Sequence, residues 1–237
     1  MKPKYSIVIG TYNHLHDALI PCIESIIRNT NLEDKEIIIV ANGCNNDTKD
    51  YINSLGESFK LLWYETPLGF TVAYNIGIKA AQGEYIILLN NDIILMDGQE
   101  KDAWIILLEY PFFSKPFVGI TGPLKFTWGC GNIVRFAIAF WCVMIHRRVI
   151  DDIGLLDEIF SPGMGEDGDF CARTEKAGYK LIQVPYEGHD KFDTGINDQH
   201  FPIYHKGNGT FNDDINNKNE VIERNNKILN ARYGEYK

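Results

Sequence analysis

The stretch Gly83-Glu84-Tyr85-Ile86-Ile87-Leu88-Leu89-Asn90-Asn91-Asp92-Ile93 constrains the fold more than any other. Its short apolar run, Tyr85 to Leu89, follows a glycine, the pattern of a strand covered on both faces. Such strands belong to parallel sheets lying under helices. Their carboxyl ends are where α/β proteins open a ligand crevice. Here that end is Asn90-Asn91-Asp92. One carboxylate beside two amides suits a hard divalent cation, which takes oxygen ligands and keeps positions for water and phosphate. Asn and Asp are also ordinary turn residues, so the tripeptide alone reads as a polar turn too.

The surrounding chain repeats the same design. Tyr5 to Ile9 is a β-rich run ending in Gly10-Thr11-Tyr12-Asn13. Leu15, Ala18, Leu19, Cys22, Ile23, Ile26 and Ile27 then recur at helical spacing. Glu36 to Val40 is a second buried strand, ending in Ala41-Asn42-Gly43-Cys44-Asn45-Asn46-Asp47, and a helix follows around Thr48 to Leu55. Leu61 to Tyr64 predicts a third strand, and Thr71 to Ala81 a helix. Strands and helices alternating at this pace imply βαβ units with right-handed crossovers. Three polar strand ends (Thr11 to Asn13, Ala41 to Asn46, Asn90 to Asp92) therefore converge on one sheet edge, a candidate nucleotide site. The chain has no GxGxxG after its first strand and no GxxxxGK[ST], which disfavours a dinucleotide enzyme and a P-loop NTPase.

Further on, Gly98 to Glu109 predicts a helix with Trp104, Leu107 and Leu108 inward, and Phe117 to Thr121 a strand. Ile133 to Ile145 reads as a buried extended segment, and Ile150 to Phe160 as a short amphipathic turn. Gly165-Glu166-Asp167-Gly168-Asp169 opens a helix through Phe170, Thr174 and Ala177, and Tyr179 to Val184 is a final strand. Beyond Asp190 the chain is rich in Asn, Asp and Lys, with one helix expected from Asn219 to Ala231.

Length and charge narrow the class. The 237 residues fit one large domain or a domain with an appendage, and 45% hydrophobic residues suffice for a real core. A net charge of -9 argues against a nucleic-acid surface. Five scattered cysteines without a CxxC pair indicate neither a zinc site nor a disulfide framework, and a reducing cytoplasm is the simplest home. The start, Met1-Lys2-Pro3-Lys4, reads as the approach to a strand and not as a secretory signal. Ile133 to Ile145 is shorter than the roughly 20 apolar residues of a spanning helix. The expectation is a protein without a transmembrane segment, compatible with peripheral membrane contact.

Four blocks of sequence resemble the family 2 glycosyltransferases, from about Tyr5 to His189. They are Tyr5-Ser-Ile-Val-Ile-Gly-Thr-Tyr-Asn13; Glu36-Ile-Ile-Ile-Val-Ala-Asn-Gly-Cys-Asn-Asn-Asp-Thr48; Gly69 through Asp92; and Ile153-Gly-Leu-Leu-Asp157 with Gly165-Glu-Asp-Gly-Asp-Phe-Cys-Ala-Arg173 and Ala177-Gly-Tyr179. Each is weak singly, and the four in order are specific. The resemblance implies an α/β chain of GT-A (Rossmann-like) fold, with a mostly parallel central sheet flanked by helices. It divides the chain into a catalytic domain, 1–190, and a C-terminal extension, 191–237, packed on it. The domain has a nucleotide-sugar half, 1–97, and an acceptor half, 98–190.

The implied activity is transfer of a sugar from a nucleotide-sugar, UDP-linked by expectation, to a hydroxyl acceptor with inversion. A single displacement needs an ionised base and a stabilised diphosphate, and no protein nucleophile. The resemblance assigns Asp92 and His189 to a Mn2+ or Mg2+ ion, with Asn90 and Asn91 where many members carry acids. Asp167 is the expected base and Glu166 the second choice, both at a helix start whose dipole favours a carboxylate. Thr11, Tyr12, Asn13, Asn42 and Asn75, with Asn90 and Asn91, are assigned to the nucleotide-sugar, and Ala41 replaces a common acid. Lys79 reads as a solvated helix residue. Trp128, with Gly129, Cys130 and Gly131, and Trp141 fall on the acceptor side; Trp141 reads equally as core.

Two rivals stand beside this reading. A sugar-nucleotide nucleotidyltransferase would carry a basic Gly-rich loop after the first strand, where this chain has Gly10-Thr11-Tyr12-Asn13-His14. A non-catalytic nucleotide- or sugar-binding module would explain Ala41 and Asn90-Asn91, but not the intact Glu166-Asp167. Donor sugar, acceptor (carbohydrate, lipid-linked or protein) and oligomeric state are not legible.

Overall fold

The computed structural model describes residues 2–130, 133–184, 201–207 and 217–234. Its centre is a seven-stranded sheet. The strands are β1 (Tyr5–Thr11), β2 (Lys35–Asn42), β3 (Phe59–Tyr64), β4 (Tyr85–Asn90), β6 (Val118–Gly122), β9 (Cys142–His146) and β10 (Lys180–Gln183). Their order is β10-β6-β9-β4-β1-β2-β3. The pairs β1–β2, β1–β4, β2–β3 and β10–β6 are parallel, whereas β9 runs against both β4 and β6. Strands from both expected halves of the chain therefore share one sheet.

The period-two alternation of each strand separates two cores. Ile7, Ile9, Ile37, Ile39, Ile87 and Leu89 face one side, where they meet Cys22, Ile23 and Ile26 of α1 (Ile20–Asn29) and Trp104, Ile105 and Leu108 of α4 (Ala103–Ser114). Val8, Ile38, Val40, Ile86 and Leu88 face the other. There they meet Ala73, Tyr74 and Ile78 of α3 (Phe70–Ala80), Val149 of α5 (Arg147–Ile153), and Phe170 and Cys171 of α6 (Glu166–Lys176). The result is a helix–sheet–helix sandwich, and each fully buried Ile or Leu contributes roughly 2 kcal/mol. A shorter helix, α2 (Asn46–Asn53), starts where the Asn45 side chain accepts the Thr48 N–H.

Several elements differ from expectation. One π-type turn, Leu15–Leu19, precedes α1, which carries Pro21 in its first turn, where its missing N–H leaves no bond unmade. The α4 helix begins five residues later than the pattern suggested, after Asp102 at φ 69, and runs through Pro111. The run Ile133 to Ile145 is two strands, β8 (Ile133–Ile138) and β9, broken at Ala139, whose N–H donates to the Leu124 carbonyl. The β8 strand pairs with β7 (Lys125–Cys130), which the sequence did not announce. That hairpin reverses the chain, so β9 enters the sheet antiparallel. After β4, β5 (Ile93–Leu95) pairs with β11 (Ile203–His205) from the C-terminal part, aligning His205 with Ile93. The last helix, α7 (Lys218–Tyr233), brackets the expected one.

Helix α3 lies unusually close to the sheet. A Cβ on Gly77 would stand 2.2 Å from Val8 Cγ1 and 3.3 Å from Val40 Cγ2. Its neighbour on that face, Tyr74, can thereby reach the Leu89 carbonyl with its hydroxyl at 2.9 Å. In an open helix Gly→Ala stabilises by up to about 1 kcal/mol. Here Gly77→Ala should destabilise by about 1–3 kcal/mol through overpacking, read by urea unfolding. A gain in stability would contradict this close approach.

Candidate functional site

The carboxyl ends of β1, β2 and β4 are cross-linked through Thr11. The Thr11 carbonyl accepts the Asn42 amide at 2.7 Å and the Cys44 thiol at 3.4 Å. Its hydroxyl accepts the Asn91 amide at 3.0 Å. Asn42 Oδ1 in turn accepts the Leu68 N–H at 3.1 Å, which fixes the turn leading into α3. Thr11, Asn42 and Asn91 are all buried. Beyond Thr11 the chain bends through Asn13 and His14, both left-handed at φ 52 and 54. Tyr12 is half-buried and Asn13 exposed at this edge.

Asn90 ends β4 with its N–H on the Trp141 carbonyl at 2.9 Å and its Oδ1 accepting the Tyr74 hydroxyl at 3.3 Å. Because β9 runs antiparallel, its start, and therefore Trp141, lies beside this strand end. Asp92 Oδ1 stands 3.2 Å from His205 Nε2, with both side chains about nine-tenths buried. The Trp141 indole stacks on the His205 ring, centroids 4.7 Å apart and planes within 9°. Burial works to raise the Asp92 carboxyl, but the His205 imidazole outweighs it and holds Asp92 below its ordinary value. Asp92 is thus a buried, ionised acid facing an imidazole. A divalent cation fits this donor pair, with Asp92 and His205 as two ligands and open positions for phosphate oxygens and water. Among the described residues no third His, Cys, Asp or Glu joins them.

The acid pair lies at the first turn of α6. Asp167 is half-buried and its Oδ1 accepts the Gly168 N–H at 2.7 Å, while Glu166 is buried. Burial raises both carboxyls, and the Asp167 charge raises Glu166 further. The two titrate as a unit, with a proton kept above the ordinary carboxylate range. Trp128 lies directly on this turn, 3.2 Å from where a Gly168 Cβ would stand. Burial raises the Tyr74 phenol, and the carboxylates of Asp92 and Glu166 push it the same way, so Tyr74 lies within the field of both acid centres.

Buried polar atoms left over mark where a ligand would be needed. Among the described residues, Glu166 Oε2, Trp128 Nε1, Trp141 Nε1 and Thr71 Oγ1, the last in the opening turn of α3, are buried without a hydrogen-bond partner. Each unmet group costs about 1–3 kcal/mol, and Glu166 Oε2 and Trp128 Nε1 at the start of α6, with Trp141 Nε1 beside His205, are where a ligand would supply a partner.

Not every expected site residue offers its side chain to this crevice. Asn75 is buried with its amide on the Leu156 carbonyl (2.9 Å) and Glu158 (3.0 Å), and its oxygen on the Leu156 N–H (3.0 Å). In the structure it ties α3 to residues 156–158, as Asn42 ties the strand ends. Trp141, buried beside His205, adjoins Asp92, whereas Trp128 adjoins the acid pair. His189 and Gly131 lie outside the described residues. His205 was missed, since its only sequence signal is a short apolar run, Phe201 to Tyr204, before it.

Comparison with known proteins bears on the family and the fold. Residues 6–102 match the sequence model of "Glycosyl transferase family 2". The O-antigen biosynthesis protein RfbC of Myxococcus xanthus is 23% identical over 216 residues, covering 76% of this chain and 16% of that protein. Glycosyltransferase GlyG of Streptococcus pneumoniae is 29% identical over 122 residues, 46% of this chain and 40% of that one. The chain thus spans less than half the length of either relative. Among solved structures, the mannosyltransferase PcManGT of Pyrobaculum calidifontis, in complex with GDP-Man and Mn2+, superposes with a TM-score of 0.60 at 14% identity. The superposition covers 78% of this chain and 55% of that one.

The raised acid pair has a stability consequence. A carboxyl whose folded value is raised contributes stability below its unfolded value and loses it as pH rises through the folded one. Glu166→Gln should therefore raise the melting temperature, more at about pH 8 than at about pH 5. An equal or reversed effect at the two pH values would contradict the burial of this charge.

Proposed function

We propose, from the match of residues 6–102 to the glycosyl transferase family 2 model and the GT-A fold of the chain, that the protein transfers a sugar from a nucleoside-diphosphate sugar to a hydroxyl acceptor with inversion. The observation that carries this reading is the Asp92–His205 pair at the end of β4, 3.2 Å apart with both side chains about nine-tenths buried, in a fold that also sets the acid pair Glu166–Asp167 at the start of α6. One suits a metal-bound diphosphate and the other a proton.

Asp167 accepts the acceptor hydroxyl's proton; the freed oxygen bonds to the anomeric carbon, and the bond to the diphosphate breaks with its electron pair leaving on phosphate. Burial keeps a proton on the Glu166–Asp167 pair above the ordinary carboxylate range, and Asp167, the less buried of the two, is the member placed to meet the acceptor. A base whose proton affinity lies near the operating pH is the effective kind. Mn2+ or Mg2+ bound through Asp92 would supply Lewis-acid stabilisation of the leaving diphosphate. His205 is the imidazole that the described residues bring to Asp92; His189 lies outside them. Thr11, Tyr12, Asn13, Asn90 and Asn91 border the nucleotide, with Asn42 and Asn75 holding that edge in shape. Trp128, against the base, offers its face and its unpaired N–H to the acceptor. Trp141 serves the diphosphate side.

UDP is the nucleotide expected from the sequence, and GDP is the one bound by the Pyrobaculum enzyme. No helix among the described residues is long and apolar enough to cross a membrane. With UDP- and GDP-sugar donors and a glycoside acceptor array, Asp167→Asn should lower turnover by about 10²–10⁴-fold while nucleotide affinity stays within about twofold. Turnover kept in Asp167→Asn and lost in Glu166→Gln would exchange the two roles. Turnover kept in both would remove the base from this helix.

A further inference from the structure

The acid pair is reached through a glycine-rich segment that bonds to α3 through the Pro162 carbonyl, which accepts the Phe70 N–H at 2.6 Å. Ser161-Pro162-Gly163-Met164-Gly165 leads into α6 with two consecutive left-handed residues, Met164 at φ 74 and Gly165 at φ 106. Gly163 and Gly165 give this stretch many alternatives when unbound.

Helix α7 takes up its backbone groups from outside. The buried Asn225 amide reaches the carbonyls of Phe160 (3.3 Å), Gly163 (3.0 Å) and Met164 (2.5 Å). Arg224 donates to the carbonyls of Ile159 (3.2 Å) and Ser161 (2.6 Å). Leu229 is buried, its Cδ1 3.3 Å from where a Gly165 Cβ would stand.

One turn further, α7 grips α6 itself. Asp169, two residues past Asp167, has no solvent exposure. Its Oδ1 accepts from Arg232 Nη1 and from the Tyr233 hydroxyl, both at 2.7 Å, and its Oδ2 accepts from Arg173 Nε at 2.8 Å. Arg173 continues to the Ile153 and Leu155 carbonyls at 2.9 Å each, and Arg232 pairs with Asp157 at 2.8 Å. The Tyr233 ring meets Trp128 edge-on at 6.1 Å, and the Arg135 guanidinium lies over the Tyr233 ring, 5.4 Å from its centroid. The same two residues of α7 thus touch both walls of the acceptor side, the helix bearing the acids and the indole beside them.

We propose that α7 is a C-terminal latch, with Arg232 and Tyr233 as positioning residues that hold the first turn of α6 and Trp128 in the arrangement transfer requires. This rests on the reading of Glu166–Asp167 as the proton-accepting pair. A latch that acts only here affects the chemical step and spares donor binding, which belongs to the strand ends around Thr11. A purely structural helix would affect both.

The test uses the full chain with Arg232→Met, Arg232→Lys, and Tyr233→Phe, which removes a single hydroxyl and keeps the fold. Hydrogen exchange should accelerate in residues 160–169 of Arg232→Met and Tyr233→Phe and stay unchanged at the β1 and β4 ends. In the same variants kcat should fall by about tenfold to 10²-fold, as a slight misplacement of a reacting group does, with donor KM within about twofold. Arg232→Lys, which keeps a charge for Asp169, should recover part of kcat. Unchanged exchange in residues 160–169 overturns the latch, and so does faster exchange with undiminished kcat. A parallel loss in kcat, donor KM and exchange at the strand ends makes α7 a general stabiliser and also overturns it. Absence of transfer by the wild-type chain with every donor and acceptor sinks the transferase reading instead, and with it the latch's role in transfer, while exchange still reports the contact.

Discussion

Three parallel strands that are buried along their whole length must end together, and at that line their backbone and side-chain polar groups need partners. Thr11 meets this requirement from the middle strand, taking the Asn42 amide on its carbonyl and the Asn91 amide on its hydroxyl. The bonds lie in opposite directions across the sheet, so β2 and β4 are held to β1 at the same level. Everything placed at the crevice inherits its position from that level: Asn90 and Asp92 flank Asn91 in the chain, and Asn42 fixes the turn that launches α3. The apolar interior stabilises the fold broadly, whereas these few short polar bonds decide where the sheet stops.

The opposite wall has a different origin. An antiparallel strand begins where its parallel neighbours end, so β9 delivers Trp141 to the crevice at its first turn into the sheet. The β5–β11 pair performs the same service for His205, setting it against Asp92 from more than a hundred residues along the chain. The acid helix comes from a third source, the crossover between β9 and β10. Tyr74 stands among them, anchored on Leu89 and Asn90 and sensing both acid centres. The close packing of Gly77 on Val8 permits this, because a bulkier residue there would lift α3 and its tyrosine from the sheet.

What the sequence made legible was local. Buried strands, their polar carboxyl ends, and the Glu166–Asp167 helix start could be read because each signal sits within about ten residues. The strand direction of β9 could not, since a β-branched run has no arrow in it, and only the β7–β8 hairpin reverses the chain. Asn42 and Asn75 illustrate a second limit. An amide at a strand end reads the same whether it serves a ligand or the backbone, and here the observed bonds go to the protein. His205 illustrates a third: its value depends on a pairing between distant segments, and nothing around it resembles a motif. Trp128 and Trp141 were both expected on the acceptor side, yet one borders the acid pair and the other the Asp92–His205 pair.

The central claim is that the strand ends bind a nucleoside diphosphate through a divalent cation held by Asp92. Thermal unfolding of the full chain with UDP or GDP, each with Mn2+ or with EDTA, tests it most directly, alongside Asp92→Asn under the same conditions. Because a ligand of the folded state raises the melting temperature by mass action, one nucleotide should raise it with Mn2+, far less with EDTA, and not in Asp92→Asn. A rise that is equal without metal, or one preserved in Asp92→Asn, would contradict the account, as would no rise with either nucleotide.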